Sequence, residues 1–420
     1  MLAMTILILF WLLTRSSVPS YQGIDLYTLM FNQSSSALDS SPGFMAIGSN
    51  AVPFLARALA TDKTLYDKFS WLRRPSFQKF AQSNHLGFTW WKSAREVRHA
   101  AAFSLLAFIF EARPALPQLH IELLRAIDTE RQTIVNCLSE LGPPPESIPW
   151  LVKAFPFTTN ETYVVRHDLL LTLGRAGSNT AQLAMPIALA SLSDEVWDVR
   201  SVAAQAIANW GRPEPAAIPL LLSLLTSTNE YAAMSAAMAL GRITNRCNEA
   251  ISSLRKMLAS TNDYYRAVAS MTLWRLGGEA EETRQTLENL LTSKGGKGVA
   301  AEYLGQMGPA ARASLPTLLK ACQQSIAGAW VDMHDRAECA KAILHIQGES
   351  TDAYAVLEES ITTEKNSWVR QTVTAEIAEL GPLAQPLIPV LRRVLNDPKR
   401  EVRHEAMLAL ELLEKRNKKN

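Results

Sequence analysis

Three histidines follow an arginine in near-copies of one motif. They lie in "REVRHAA" at Arg95–Ala101, "VVRHD" at Val164–Asp168 and "REVRHEA" at Arg400–Ala406. His99, His167 and His404 could act as bases or metal ligands. Ligands of one ion must each approach it within about 2.0–2.2 Å, so the question is whether the chain can bring them together. "HEAML" at His404 begins like a zinc-protease helix but places Leu408 where a second histidine is required. "GGKG" at Gly295–Gly298 lacks the hydroxyl residue after Lys297 and the preceding strand of a phosphate loop, and is expected to be a turn before a helix. No GxSxG elbow, GxGxxG turn or EF-hand loop occurs. The four cysteines, Cys137, Cys247, Cys322 and Cys339, have no metal-ligand spacing. They are expected to be buried thiols, with a Cys322–Cys339 disulfide as the alternative.

Residues 61–95 are chemically distinct. They hold eight aromatics, among them Trp71, Trp90 and Trp91, interleaved with Lys68, Arg73, Arg74 and Lys79, where the chain average is 8% aromatic. One reading is a partner-docking surface, membrane contact or ligand groove carried by Trp71, Arg73, Arg74, Trp90 and Trp91. The other is an end cap that packs its rings onto the neighbouring helices. Seven basic residues against two acidic ones in this stretch, together with the basic tail Lys415–Lys419, leave the rest of the chain mildly acidic despite a formal net charge of +2. A nucleic-acid clasp needs a basic main surface, so nucleic acid is not an expected partner.

The elements that must position these residues repeat. Arg98 and Arg403 are 305 residues apart, which is nine periods of about 34, a spacing typical of stacked helical units. Anchors fall at Arg98, Arg131, Arg166, Arg200, Glu230, Arg266, Lys297, Arg336, Arg370 and Arg403. The third, seventh and tenth residues after each anchor are apolar, which is one face of a helix. The eleventh is glycine at Gly142, Gly177, Gly211, Gly241, Gly277, Gly308 and Gly381, and is expected to stop each helix. Pro117, Pro149, Pro186, Pro219, Pro316 and Pro389 are expected in the first turn of a second helix. Neighbouring helices pack 8–10 Å apart, so equivalent atoms two repeats away lie roughly 20 Å apart. The three histidines therefore cannot share a site.

The arginine after a short acidic turn ("SDEVWDVR", "NDPKREVR"), the alanine and leucine columns, the glycine and the proline-led second helix resemble HEAT repeats over about residues 37–415. A degenerate first copy has Ile47-Gly48 at the stop and Pro53 leading its second helix. From Ala37 to Arg98 is 61 residues, more than a repeat needs, which isolates 61–95 as an insertion. The resemblance implies an all-α, right-handed α-solenoid of about ten hairpins. It also implies that the anchor arginines pair with carboxylates or carbonyls at the turns, with Asp194, Asp263 and Asp397 as caps or partners.

Residues 1–20 have the form of a signal peptide or membrane anchor. Leu2–Leu13 is apolar apart from Thr5, and Val18 and Ser20 suit cleavage before Tyr21. Twelve helical residues reach only about 18 Å of a ~30 Å hydrocarbon core, and a plain N-terminal helix is the other reading. The expected organisation is 1–20 leader or anchor, 21–60 cap and first repeat, 61–95 insertion, 96–415 solenoid and 416–420 basic tail. The chain is similar to bacterial exported or membrane-tethered HEAT-repeat proteins. That implies a non-catalytic scaffold for protein partners, outside the cytoplasm, with no cofactor and no metal. The alternatives are a cytoplasmic location, a nucleic-acid binder, or a HEAT-like enzyme of the bilin-lyase or DNA-glycosylase kind.

Overall fold

The computed structural model describes residues 19–22, 24–31, 47–68, 73, 92–106, 108, 112–212, 214–243, 247–293, 295–323 and 332–417. The chain forms two compact units, Met1–Arg212 and Pro213–Asn420. Among the described residues, a two-residue antiparallel pair, β1 (Ser20–Tyr21) with β2 (Ile24–Asp25), precedes an otherwise helical fold.

The first unit contains α1 (Leu26–Phe31), α2 (Val52–Leu59), α3 (Leu65–Lys68), α4 (Ala94–Leu105), α5 (Leu116–Arg125), α6 (Thr129–Glu140), α7 (Ile148–Ala154), α8 (Tyr163–Arg175), α9 (Ala181–Ser191) and α10 (Trp197–Trp210). The second contains α11 (Ala217–Leu225), α12 (Glu230–Ile243), α13 (Asn248–Leu258), α14 (Asp263–Arg275), α15 (Ala280–Leu290), α16 (Lys297–Met307), α17 (Leu315–Gln323), α18 (Asp332–Gln347), α19 (Thr351–Thr362), α20 (Ser367–Ile377), α21 (Ile388–Val394) and α22 (Arg400–Asn417). Each anchor residue lies in a first helix, and each first helix packs on the second helix of the preceding hairpin and on first helices of neighbouring hairpins in its unit.

The columns explain the packing. All ten residues three after an anchor, from Ala101 to Ala406, are buried. So are nine of the ten at the seventh place; Leu273 is half-buried. Small residues let first helices approach until backbone meets backbone. A Cβ added at Gly174 would lie 3.0 Å from Ala206 Cα, and one at Gly305 would lie 3.0 Å from Ala342 Cα.

Six of the seven glycines expected to stop helices have positive φ; Gly211, at φ 59°, closes α10 in the left-handed conformation that a Cβ disfavours. Gly241 departs from the expectation. It lies inside α12, and a Cβ there would sit 3.3 Å from the Thr272 methyl, so it serves helix packing instead. Gly348, which the column missed by one residue, takes the positive φ (94°) after α18. Pro53, Pro117, Pro149 and Pro389 occupy first helical turns, whereas Pro186 lies inside α9 because a 3₁₀ turn at Ser178–Thr180 starts that segment early. All four cysteines are free and buried, which removes the Cys322–Cys339 disulfide.

The anchor arginines bind the turns. Arg166 places Nε 3.0 Å from Asp194, and Arg370 places Nε and Nη2 at 2.8 and 3.0 Å from the two oxygens of Asp397. Arg131 pairs with Glu161 and donates to the Leu123 carbonyl. Arg200 and Arg403 donate to the carbonyls of Asp194 and Asp397, so each aspartate ties two consecutive anchors. Asp263 pairs with Arg266 of its own helix. Lys297 keeps the anchor position buried, while Glu230 turns outward and accepts from Asn262 Nδ2 at 2.9 Å.

Candidate functional site

The three motif histidines lie on three separate first helices, α4, α8 and α22. His167 Nδ1 lies 2.9 Å from Asp168, and this hydrogen bond raises its pKa against the opposing effect of burial. Burial, then Arg400, pushes His404 down to about 4. His99 lines a small cleft with Arg98 and Glu122. "GGKG" is a turn leading into α16.

Of the residues singled out in the insertion, Arg73 is exposed and donates to the Asp67 carbonyl at 3.3 Å. Trp71, Arg74, Trp90 and Trp91 lie outside the described residues, as do residues 2–13 and 418–420. The two ends of the insertion meet. Asp67 accepts from the Thr64 amide at 2.9 Å and from the Ala94 amide at 2.8 Å, and Thr64 Oγ1 donates to the Lys92 carbonyl at 2.7 Å. These hydrogen bonds outweigh burial and lower the Asp67 pKa. Ser93 and Glu96 then form a reciprocal cap that starts α4.

The second unit contains a polar cluster that the columns alone did not identify. Six residues after the anchors come Ser104, Cys137, Thr172, Ala206, Ala236, Thr272, Tyr303, Ala342, Glu376 and Ala409, and only Glu376 is charged. Where other repeats have an uncharged and mostly small residue, α20 directs this carboxylate back towards α18. Lys341 Nζ lies 2.8 Å from Glu376 Oε2 and 2.7 Å from Glu338 Oε1, and His334 Nε2 lies 3.3 Å from Glu376 Oε1. Trp368 tilts against the His334 ring at 5.5 Å.

Burial, then the Glu376 charge, pushes the Glu338 carboxyl up to about 7 despite Lys341. Burial also works on Glu376, but the hydrogen bonds and charges of His334 and Lys341 overcome it and hold that group low. His334 is raised, because Glu376 and Glu338 outweigh its burial. Glu338 and His334 thus both keep their protons to higher pH than such groups ordinarily do.

One ligand atom each from His334, Glu338 and Glu376 lies within 4.8 Å of the others, and this donor set suits a divalent cation. Lys341 Nζ bridges the same carboxylates, so a metal ion would have to displace an internal cation. Beside the cluster is a 190 Å³ cleft lined by Glu302, Gln306, Glu338, Lys341, His345 and Glu379.

A second feature recurs at helix starts. Asn229, Asn262 and Asn366 cap α12, α14 and α20 through their side-chain oxygens, and two residues after each comes Tyr231, Tyr264 or Trp368. The cap fixes the first turn, and the aromatic on it faces solvent; Tyr231 is 66% exposed. In the first unit, Tyr163 and Trp197 occupy similar places at the starts of α8 and α10 and are also exposed. Tyr231, Tyr264 and Tyr265 line a pocket of 330 Å³ with Glu230, Met234 and Asn262. The sequence signal is Asn-x-aromatic at Asn229, Asn262 and Asn366, which a search for aromatic-dense stretches passes over.

Stacked helical hairpins with an anchor column at the turns define an α-solenoid. Residues 185–274 match the family described as HEAT repeats. No curated protein sequence matches the chain. Among solved structures, an engineered protein is similar at 20% identity and a TM-score of 0.38, over 90% of this chain and 98% of that one. Human deoxyhypusine hydroxylase in complex with glycerol is similar at 19% identity and a TM-score of 0.26, over 68% and 90%. The karyopherin Kap121p, bound to the extreme C-terminus of the phosphatase Cdc14p, is similar at 14% identity and a TM-score of 0.42. That likeness covers 89% of this chain and 46% of the karyopherin.

Proposed function

We propose that the chain is a non-catalytic scaffold that binds protein partners through the starts of its first helices. The observation that carries this is the set of exposed aromatics Tyr231, Tyr264 and Trp368, each placed on a capped first turn. Aromatics are enriched where proteins bind one another, because they contribute large contact areas at low conformational cost. The karyopherin neighbour is bound to a protein segment, which agrees with this reading at the level of fold alone.

A photo-crosslinking residue placed at Tyr231 or Trp368 tests it, with Leu183 and Leu412, also exposed, as control positions. Discrete partner adducts at the first two and none at the controls are expected. Equal labelling everywhere would remove the proposal. Repeating the experiment without residues 61–95 separates the insertion's contribution.

We also place the protein outside the cytoplasm or at a membrane, on the apolar run Leu2–Leu13. Among the described residues no helix is long and apolar enough to cross a membrane. Fractionation of a C-terminally tagged chain decides the location, and purely cytosolic protein would end this part of the reading.

A further inference from the structure

We propose that the pocket between the starts of α12 and α14 receives the side chain of an arginine presented by a peptide segment of the partner. The inference rests on the scaffold reading and names the chemistry that one part of its surface recognises.

Three phenol rings (Tyr231, Tyr264 and Tyr265) and the Met234 thioether line the 330 Å³ space, and Glu230 adds a carboxylate. Aromatic faces carry negative potential and attract cations, more strongly as water is excluded. Glu230 takes its hydrogen bond from the neutral amide of Asn262, which fixes the carboxylate's direction without cancelling its charge. The same Asn262 accepts from the Tyr264 and Tyr265 amides, so one side chain orients both the acid and two of the rings.

Neighbouring charges favour a cation. Burial first, then Glu302 for Tyr264 and Glu230 for Tyr265, raises both phenol pKa values, placing these carboxylates within electrostatic reach of the rings. Both helices point their positive ends here, which opposes a cation, but Glu230 lies in the first turn of α12 and offsets it. Arg266, the guanidinium on the adjoining turn, is paired with Asp263. Arg242 and Arg275 lie at the far ends of the helices, about 18 Å along at 1.5 Å per residue.

An apolar side chain would cover the Glu230 carboxylate without supplying an opposite charge, which is costly. A guanidinium can stack flat on tyrosine while donating two hydrogen bonds to one carboxylate, whereas an ammonium does only part of this.

The test uses the full chain labelled with 3-fluorotyrosine and followed by fluorine NMR, each pocket resonance being assigned by a single Tyr→Phe change. A glycine-flanked arginine peptide amide is titrated in, then its citrulline twin, which has the same shape without the charge. Saturable shifts of the Tyr231, Tyr264 and Tyr265 resonances are expected with arginine, with at least tenfold weaker binding of citrulline. Glu230→Gln should weaken the arginine peptide at least fivefold, and Tyr231→Ala should abolish its effect. Tyr231 is largely exposed, so the fold should survive, as circular dichroism would confirm. Equal binding of both peptides, or no shift with either, overturns the proposal. If Glu230→Gln leaves partner crosslinking at Trp368 intact while arginine binding is lost, both readings hold. If arginine never binds and crosslinking persists, only this inference fails.

Discussion

Glu376 on α20 reaches the preceding first helix and places its Oε2 2.8 Å from Nζ of Lys341, which also lies 2.7 Å from Glu338. One ammonium thus holds two carboxylates together at a place where the other repeats have a small or uncharged side chain. Lys341→Met should leave those carboxylates repelling each other and destabilise the second unit by about 3–5 kcal/mol, the range for removing one partner of a largely buried pair. Glu376→Ala restores the small residue of the column and leaves Lys341 with Glu338, so its cost should be clearly smaller. The double variant should recover part of the Lys341→Met loss. Urea titrations of the four proteins check this.

The same cluster makes stability depend on pH. Glu338 is raised in the folded state to about 7, so its contribution is complete below the ordinary carboxylate value of 4.5 and is lost as pH climbs towards 7. His334 is also raised and acts in the same direction, its contribution being complete below its ordinary value of 6.5. Glu376 is lowered, and its contribution is lost only as pH falls below 4.5. Between pH 5 and 7.5 the unfolding midpoint should fall, and Glu338→Gln should flatten the slope. An unchanged slope in that variant would place the proton elsewhere.

Gly305 tests the tight first-helix stack. Alanine in a helix ordinarily stabilises by about 1 kcal/mol relative to glycine. Here the new methyl would meet Ala342 Cα at 3.0 Å and Cβ at 3.3 Å, and overpacking of this kind costs about 1–3 kcal/mol. Gly305→Ala is expected to destabilise, with partial rescue by Ala342→Gly, read from thermal unfolding.

Arg370 binds Asp397 through two nitrogens and also donates to the Glu364 carbonyl at 2.7 Å. Lysine can reproduce the charge but not the fork, so Arg370→Lys should cost about 1–2 kcal/mol and Arg370→Ala more. Arg95, exposed on α4, has no comparable fork into a turn, and Arg95→Lys should be close to neutral. Chemical denaturation of the three variants gives the comparison.

At the insertion, Asp67→Ala removes an acceptor shared by Thr64 and Ala94. The Ala94 amide should exchange its hydrogen at least tenfold faster, with little change at Ala101, about two turns into α4.

The sequence by itself determined the repeat unit, because burial within a helix follows a 3.6-residue period that single positions reveal. Ala101, Ala203 and Ala406 are buried where the columns placed them, and Arg166 and Arg370 pair with the aspartates of the following turn. Gly241 shows the limit of such columns. Its position matched a helix stop, and only the approach of Thr272 from the next first helix gives its role.

The candidate sites needed the tertiary structure for the same reason. His334, Glu338 and Lys341 share a helix face and could be grouped by spacing, but Glu376 joins them only through the distance and register at which α20 packs on α18. Likewise Asn229 and Asn262 announce capped helices, yet the convergence of Tyr231 with Tyr264 and Tyr265 depends on how α12 and α14 lie together. Spacing along a chain fixes neighbours three and four residues apart. Neighbours across helices are set by the small residues at the contact, which decide how close two backbones come and which side chains then meet.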